Sequence, residues 1–163
     1  MPNWVYTTFI MKNNLNNQLD NEQTKLAVSL YRYVFWADLL RVQFENALTR
    51  DQQELKHRLK AKKYTFEPKL LESEMYICLW LSVLYIVVEG WPSLKINQPQ
   101  ITKLLCSRFK ELLYNYRNAT FHPEEYDDAR VQTLVAKGQE SIDWARKVTF
   151  EFKSFFESIL IFP

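Results

Sequence analysis

Glycine is nearly missing from this chain of 163 residues, which has Gly90 and Gly138 and no others. A P-loop or a dinucleotide-binding turn needs several glycines so that backbone N–H groups can wrap closely around phosphate, and neither can be built here. Cysteine and histidine are just as scarce, with two of each and none at the short paired spacings that zinc sites use. The sequence therefore predicts no metal site and no cofactor. An excess of one charge is lacking too. The net charge is +2, so bulk electrostatics does not advertise a nucleic-acid binder and any such site has to be local.

A long uninterrupted apolar run is also absent. Met75 to Val88, broken by Ser82, falls short of the roughly 20 residues that a bilayer span takes, and Glu89 follows it. It reads as a core helix, with no membrane implied. The opening MPNWVYTTFIMKNN lacks the basic region and apolar run of a secretory signal. Cys78 and Cys106 both fall in apolar helical stretches, so the expectation is reduced, buried thiols in a cytoplasmic protein.

What is present is apolar and aromatic material, 47% and 15% of the residues. That is too much for a disordered chain, and the length suits one domain with a sizeable core. Residues 1–20 are rich in asparagine and keep no period, although Trp4, Tyr6, Phe9 and Ile10 could pin an extended arm to the body. A single helical domain is expected over 21–163.

Helical spacing organises that domain. Leu26, Leu30, Tyr33, Ala37, Leu40, Phe44 and Leu48 recur three and four apart and predict a helix from about 22 to 49. The polar stretch Arg50 to Lys63 either extends that helix or forms a short exposed one, and Pro68 ends it at the latest. Residues 70–90 are apolar nearly all round, as in a helix buried between neighbours, and Gly90, Trp91 and Pro92 supply its stop. Pro99 suits a first turn, and Ile101, Leu104, Leu105, Phe109, Leu112 and Tyr116 carry one helix on into Arg117. Asp127 or Asp128 caps another, interrupted near Gly138 before Ile142, Ala145, Val148, Phe152, Phe155 and Ile159 resume the period. The fold class read from this is all-α, a four- to five-helix bundle, with no strand pattern competing.

Charge, amide and ring groups concentrate in Tyr114-Asn115-Tyr116-Arg117-Asn118-Ala119-Thr120-Phe121-His122-Pro123-Glu124-Glu125-Tyr126. On an unbroken helix Arg117 and His122 would point about 140° apart. Pro123 disfavours helical geometry at the residue before it, which releases His122 to swing toward Arg117. An imidazole can take a proton from a hydroxyl, and a guanidinium can grip two phosphate oxygens, a pairing suited to phosphodiester cleavage. The plainer alternative is that Arg117 pairs with Glu124 or Glu125 on the surface and His122 caps the helix.

The run Arg117-Asn118-Ala119-Thr120-Phe121-His122 resembles the motif of the HEPN superfamily: an arginine, a polar residue, variable positions and a histidine at a helix end of an all-α bundle. Leu84-Tyr85-Ile86-Val87-Val88-Glu89-Gly90-Trp91 and Tyr126-Asp127-Asp128 also look like uncharacterised bacterial members. The resemblance covers roughly residues 25–160. It implies a metal-independent ribonuclease, a toxin or defence effector, with Arg117 and His122 as the active pair, Asn118 as polar support and Tyr126 as an orienting hydroxyl. HEPN toxins often place a tyrosine two positions after the histidine, whereas Pro123 and Glu124 intervene here. That departure favours a rival reading, a non-catalytic module that holds a nucleotide or RNA; a second rival is a purely structural interaction protein.

Lys56-His57-Arg58-Leu59-Lys60-Ala61-Lys62-Lys63 is the one dense basic run. Lys56, Arg58, Lys60, Lys62 and Lys63 could track an RNA backbone, against the commoner reading of a solvated helix end. Glu72 and Glu74, two apart, do not share a helix face, and the adjacent Glu124 and Glu125 read as solvated loop charge, so neither pair suits carboxylate chemistry. Trp36, Trp80, Trp91, Trp144 and the cluster Phe150 to Phe156 suit packing better than base stacking.

The mechanism expected has His122 deprotonating a ribose 2′-hydroxyl while Arg117 stabilises charge on the phosphate, with a second copy of the motif across a two-fold axis protonating the leaving oxygen. Phe152, Phe155, Phe156, Ile159 and Phe162 on the terminal helix predict a homodimer. An antitoxin or defence-system protein is the other expected partner.

Overall fold

A computed structural model describes residues 10–11, 20–61, 72–122 and 138–161. They form an all-α bundle. The first helix, α1 (Asn21–Ala61), is 41 residues and about 60 Å long. It starts where Asp20 and Gln23 satisfy each other's backbone: the Gln23 N–H donates to Asp20 Oδ1 at 2.8 Å, and the Asp20 N–H to Gln23 Oε1 at 3.1 Å. This is a capping box, which removes two orphan donors at once. The polar stretch after Thr49 extends the helix without a break.

The second helix, α2 (Glu72–Gly90), is buried nearly all round through Cys78, Trp80, Leu81, Leu84, Val87 and Val88. It lies between α1 on one side and α4 (Phe109–Phe121) on the other. The stretch Glu72–Leu94 is long and apolar enough to cross a membrane by length and composition, and half of its most apolar window is buried inside the protein. Gly90 closes α2 against α1, and a Cβ there would stand 2.7 Å from Leu30 Cδ2. A 3-10 turn (Trp91–Leu94) follows, and its indole meets the rings of Phe152, Phe155 and Phe156 edge-on.

The sequence suggests one helix from Pro99 into Arg117, but the chain breaks it into α3 (Pro99–Leu105) and α4. Trp144 Nε1 donates to the Leu104 carbonyl at 3.0 Å, and the Ser107 N–H reaches the same oxygen at 3.2 Å. Ser107 Oγ then accepts from the Phe109 N–H, the local competition by which serine disfavours helix interiors. Cys106 sits in that turn and is exposed, contrary to the buried thiol expected of it. Cys78 is buried as expected, and burial pushes its thiol pKa up.

The last helix, α5 (Gln139–Ile159), starts after Gly138, whose φ of 54° suits glycine. Its face of Trp144, Ala145, Val148, Phe152, Phe156 and Ile159 is in the core. The apolar surface expected to pair two copies is therefore internal: Phe152 and Phe156 are fully buried and Phe155 packs beside them, while Phe162 lies outside the described residues. Large apolar side chains are instead exposed on α1, at Phe35, Trp36, Leu39 and Val42.

One short antiparallel pair completes the fold, with β1 (Ile10–Met11) against β2 (Leu160–Ile161) in the register Ile10 to Ile161 and Met11 to Leu160. Ile10 of the N-terminal arm is thus fixed beside the end of α5. Trp4, Tyr6 and Phe9 lie outside the described residues.

Candidate functional site

Helix α4 turns Leu113 and Tyr116 inward, both buried, and this orients the rest of the helix. Cys78 Sγ on α2 meets the Tyr116 hydroxyl at 3.2 Å, fixing the rotation of α4 against α2. Residues three and four apart share a helix face. Tyr114, Arg117, Asn118 and Phe121 therefore form a second stripe, directed away from the core.

The helix ends as the proline at 123 demands of its predecessor. His122 adopts extended backbone, φ −122° and ψ 90°, while its N–H still donates to the Asn118 carbonyl at 2.8 Å. The imidazole is exposed.

Arg117 is half-buried. Its Nη1 donates to Asn118 Oδ1 at 2.9 Å. Its guanidinium carbon lies 6.0 Å from the ring centre of Tyr85 on α2 and 6.0 Å from that of Phe121. Each such cation–ring contact contributes about 0.5–1 kcal/mol where solvent reaches it. Among the described residues no carboxylate stands within ion-pair distance of Arg117. The guanidinium is aligned by an amide and two rings.

Tyr85 is itself held, donating its hydroxyl to Glu89 at 3.2 Å. Burial pushes the phenol pKa up, the charge and hydrogen bond of Glu89 add to this, and Arg117 opposes it. Tyr85 is therefore a neutral donor that keeps Glu89 beside the ring. The Tyr114 ring meets Tyr85 at 5.6 Å, so Tyr114, Tyr85, Arg117 and Phe121 form one continuous row.

The structure thus places Arg117 and Asn118 on the last turns of α4 and His122 just past its end, as the C-cap. The Arg117 side-chain hydrogen bond goes to Asn118, and none joins it to His122. Tyr126 lies outside the described residues, as do Pro123, Glu124 and Glu125 of the plainer alternative.

In the basic run Lys56, His57 and Lys60 are exposed on α1. Arg58 departs from the expectation of a phosphate contact, because it is buried and its Nε donates to Glu54 at 2.7 Å. Lys62 and Lys63 lie outside the described residues. Of the carboxylates weighed, Glu72 pairs with Arg50 and ties the later part of α1 to α2. Trp80, Trp91 and Trp144 are core residues, whereas Trp36 and Phe150 are exposed. Among the described residues no three His, Cys, Asp or Glu side chains come together as metal ligands would.

Sequence reasoning missed two things. One is the ring row around Arg117, for which the spacing of Tyr114 and Phe121 on α4 was the available signal. The other is an ionic ladder between α1 and α5, running Lys153–Asp38–Arg41–Glu45–Arg146–Asp143. It borders a groove of about 720 Å³ lined by Asp38, Arg41, Arg146, Phe150, Lys153 and Glu157. Acid–base pairs three and four apart announced the ladder within each helix but not across them. Comparison of the chain with protein-family models, curated proteins and solved structures finds no match.

Proposed function

We propose that the C-terminal end of α4 is the active site of a metal-independent endoribonuclease of the HEPN type, acting in the cytoplasm on RNA. The observation that carries the reading is the state of Arg117, a guanidinium fixed by Asn118 and flanked by rings, with no acid partner among the described residues, five positions before an exposed histidine. A helix C-terminus carries roughly half a negative charge, which repels phosphate. The full positive charge of Arg117 outweighs it.

In this reading His122 takes the proton of a ribose 2′-hydroxyl, and the resulting O2′ attacks the adjacent phosphorus. The P–O5′ bond breaks, the 5′-oxygen leaves with the electron pair, and the products are a 2′,3′-cyclic phosphate and a 5′-hydroxyl. Arg117 stabilises the charge on the non-bridging oxygens throughout. The α5 face that would have brought a second motif across a two-fold axis is in the core, so the 5′-oxygen takes its proton from solvent.

A second copy of the chain remains the proposed partner, through α1. Phe35, Trp36, Leu39 and Val42 are each more than a third exposed on successive turns of one helix. A contiguous stripe of this kind is unusual on a monomer. Because α2 stands between α1 and α4, such a dimer leaves each α4 site open to solvent.

The test is cleavage of single-stranded RNA by purified protein in excess chelator, with a cyclic phosphate expected at the 3′ end of the product. A strand with deoxyribose at the scissile position should resist, and His122→Ala should slow cleavage by about a hundredfold or more. Cleavage that survives in that variant would overturn the reading. One observation favours the alternative of a non-catalytic RNA-binding module, namely that the Arg117 hydrogen bond goes to Asn118 and not to His122. RNA binding without cleavage, abolished by Arg117→Ala, would establish it.

A further inference from the structure

We propose that Tyr114 and Phe121 form a stacking platform for unpaired nucleobases on either side of the phosphate held by Arg117, so that the α4 site selects single-stranded RNA by its bases. The proposal rests on the ribonuclease reading above and adds to it the groups that grip the strand.

Exposing an aromatic ring leaves apolar surface in water, and single instances are ordinary on any protein. The α4 stripe differs in arrangement. Phe121 is 56% exposed and Tyr114 47%, both on the face that carries Arg117. The two rings are seven residues apart, about 10 Å along the helix axis. The guanidinium lies between them, 6.0 Å from Phe121 and 6.0 Å from Tyr85, and Tyr85 in turn meets Tyr114 at 5.6 Å. Tyr85 is buried and held by Glu89, so the row has a fixed middle and two open ends.

That sequence of ring, cation, ring matches the chemical sequence of a nucleic-acid strand, base, phosphate, base. A base stacks on an aromatic face whatever its identity, since every base has a π-face. In a duplex the bases are already stacked and paired and their faces are closed, so the platform discriminates against paired RNA. An aliphatic or acidic protein partner would leave either the guanidinium or the rings unused. His122 follows Phe121 directly, which puts the base of the proposed reaction at one end of the platform.

The test uses binding alone, with a fluorescein-labelled single-stranded oligodeoxynucleotide that has no 2′-hydroxyl to react, read by fluorescence anisotropy. Tyr114→Leu and Phe121→Leu keep apolar bulk but lose the π-face, and each should weaken binding by about 5- to 100-fold. Tyr114→Phe and Phe121→Trp should bind like the wild type. An abasic oligonucleotide of the same length should bind the wild type more weakly than the base-bearing strand binds either leucine variant, because it loses both stacks, and a duplex should bind more weakly than either of its strands. Full-strength binding by both leucine variants, equal affinity for the abasic strand, or no binding to the single strand would overturn the platform. Platform-dependent binding in a protein that cuts no RNA would instead overturn the ribonuclease reading and leave the platform standing. Both side chains are exposed, so thermal melts matching the wild type are expected for all four variants.

Discussion

Asp38 Oδ2 accepts a 2.6 Å hydrogen bond from Lys153 Nζ, joining α1 to α5 across 115 residues of chain. Oδ1 of the same carboxylate takes Arg41 Nη2 at 2.8 Å and Nε at 3.0 Å. Burial works to raise the pKa of this carboxyl, but the bonds from Lys153 and Arg41 outweigh it and hold the pKa below the ordinary 3.8. The Asp38 bond raises Lys153 above its ordinary value, against some desolvation.

The two shifts define a pH window. A depressed carboxyl contributes stability that is present above its unfolded pKa and is lost as pH falls through the folded one. A raised ammonium contributes fully below its unfolded pKa and loses that contribution as pH climbs through the folded one. The clasp is therefore whole at neutral pH and weakens at both extremes. Asp38→Asn should lower stability at pH 7 by about 1–3 kcal/mol and flatten the acid side of the stability profile in urea titrations. An acid profile identical to the wild type would show that the clasp contributes nothing.

Ser82 presents the opposite case. Its Oγ is buried on α2 with no hydrogen-bond partner among the described residues. Replacing the hydroxymethyl group with a methyl group deletes an unsatisfied buried hydroxyl, which removes a desolvation penalty and little else. Ser82→Ala should therefore raise the thermal midpoint, with a gain of about 1 kcal/mol. A lower midpoint would mean that Oγ has a partner in solution.

At the α4 site, Arg117→Lys should reduce RNA cleavage nearly as much as Arg117→Ala. A lysine ammonium is a point charge and cannot grip two phosphate oxygens as a planar fork does. It also cannot keep the alignment between Asn118, Tyr85 and Phe121. Near-full activity in the lysine variant would reduce the role of Arg117 to simple charge.

The α1 stripe predicts a dimer in light scattering at tens of micromolar. Leu39→Glu, placed at the centre of the stripe and half-exposed, should yield a folded monomer. Its rate of RNA cleavage per chain should match the wild type, because α2 separates the stripe from α4. Monomeric wild-type protein would discard this interface, and a monomeric variant that no longer cuts would show that the active site needs both copies.

Much of this architecture was legible in single side chains. The Leu30, Ala37 and Phe44 spacing marked the inner face of α1, and the all-round apolarity of residues 75–88 marked the central helix. Pro123 alone foretold the extended backbone at His122. The break at Cys106 to Arg108 was not legible, because it depends on the Trp144 indole reaching the Leu104 carbonyl from 40 residues away. The destination of the α5 aromatics was equally hidden, since an apolar face looks the same whether it meets its own core or a second chain. Around Arg117, the partners on its own helix were written in the spacing, while Tyr85 came from α2 and only packing could supply it.

The antiparallel contact between Ile10–Met11 and Leu160–Ile161 has a kinetic meaning. It closes nearly the longest loop the described chain can make, and the entropy lost in bringing distant ends together grows with the length of chain between them. A ladder of two residues per strand is too short to hold against that loss by itself. The helices must therefore assemble first, shortening the path between the two ends until the strands lie side by side. The pair forms last and, by the same reasoning, opens first, so its amides should exchange with solvent ahead of those in α2.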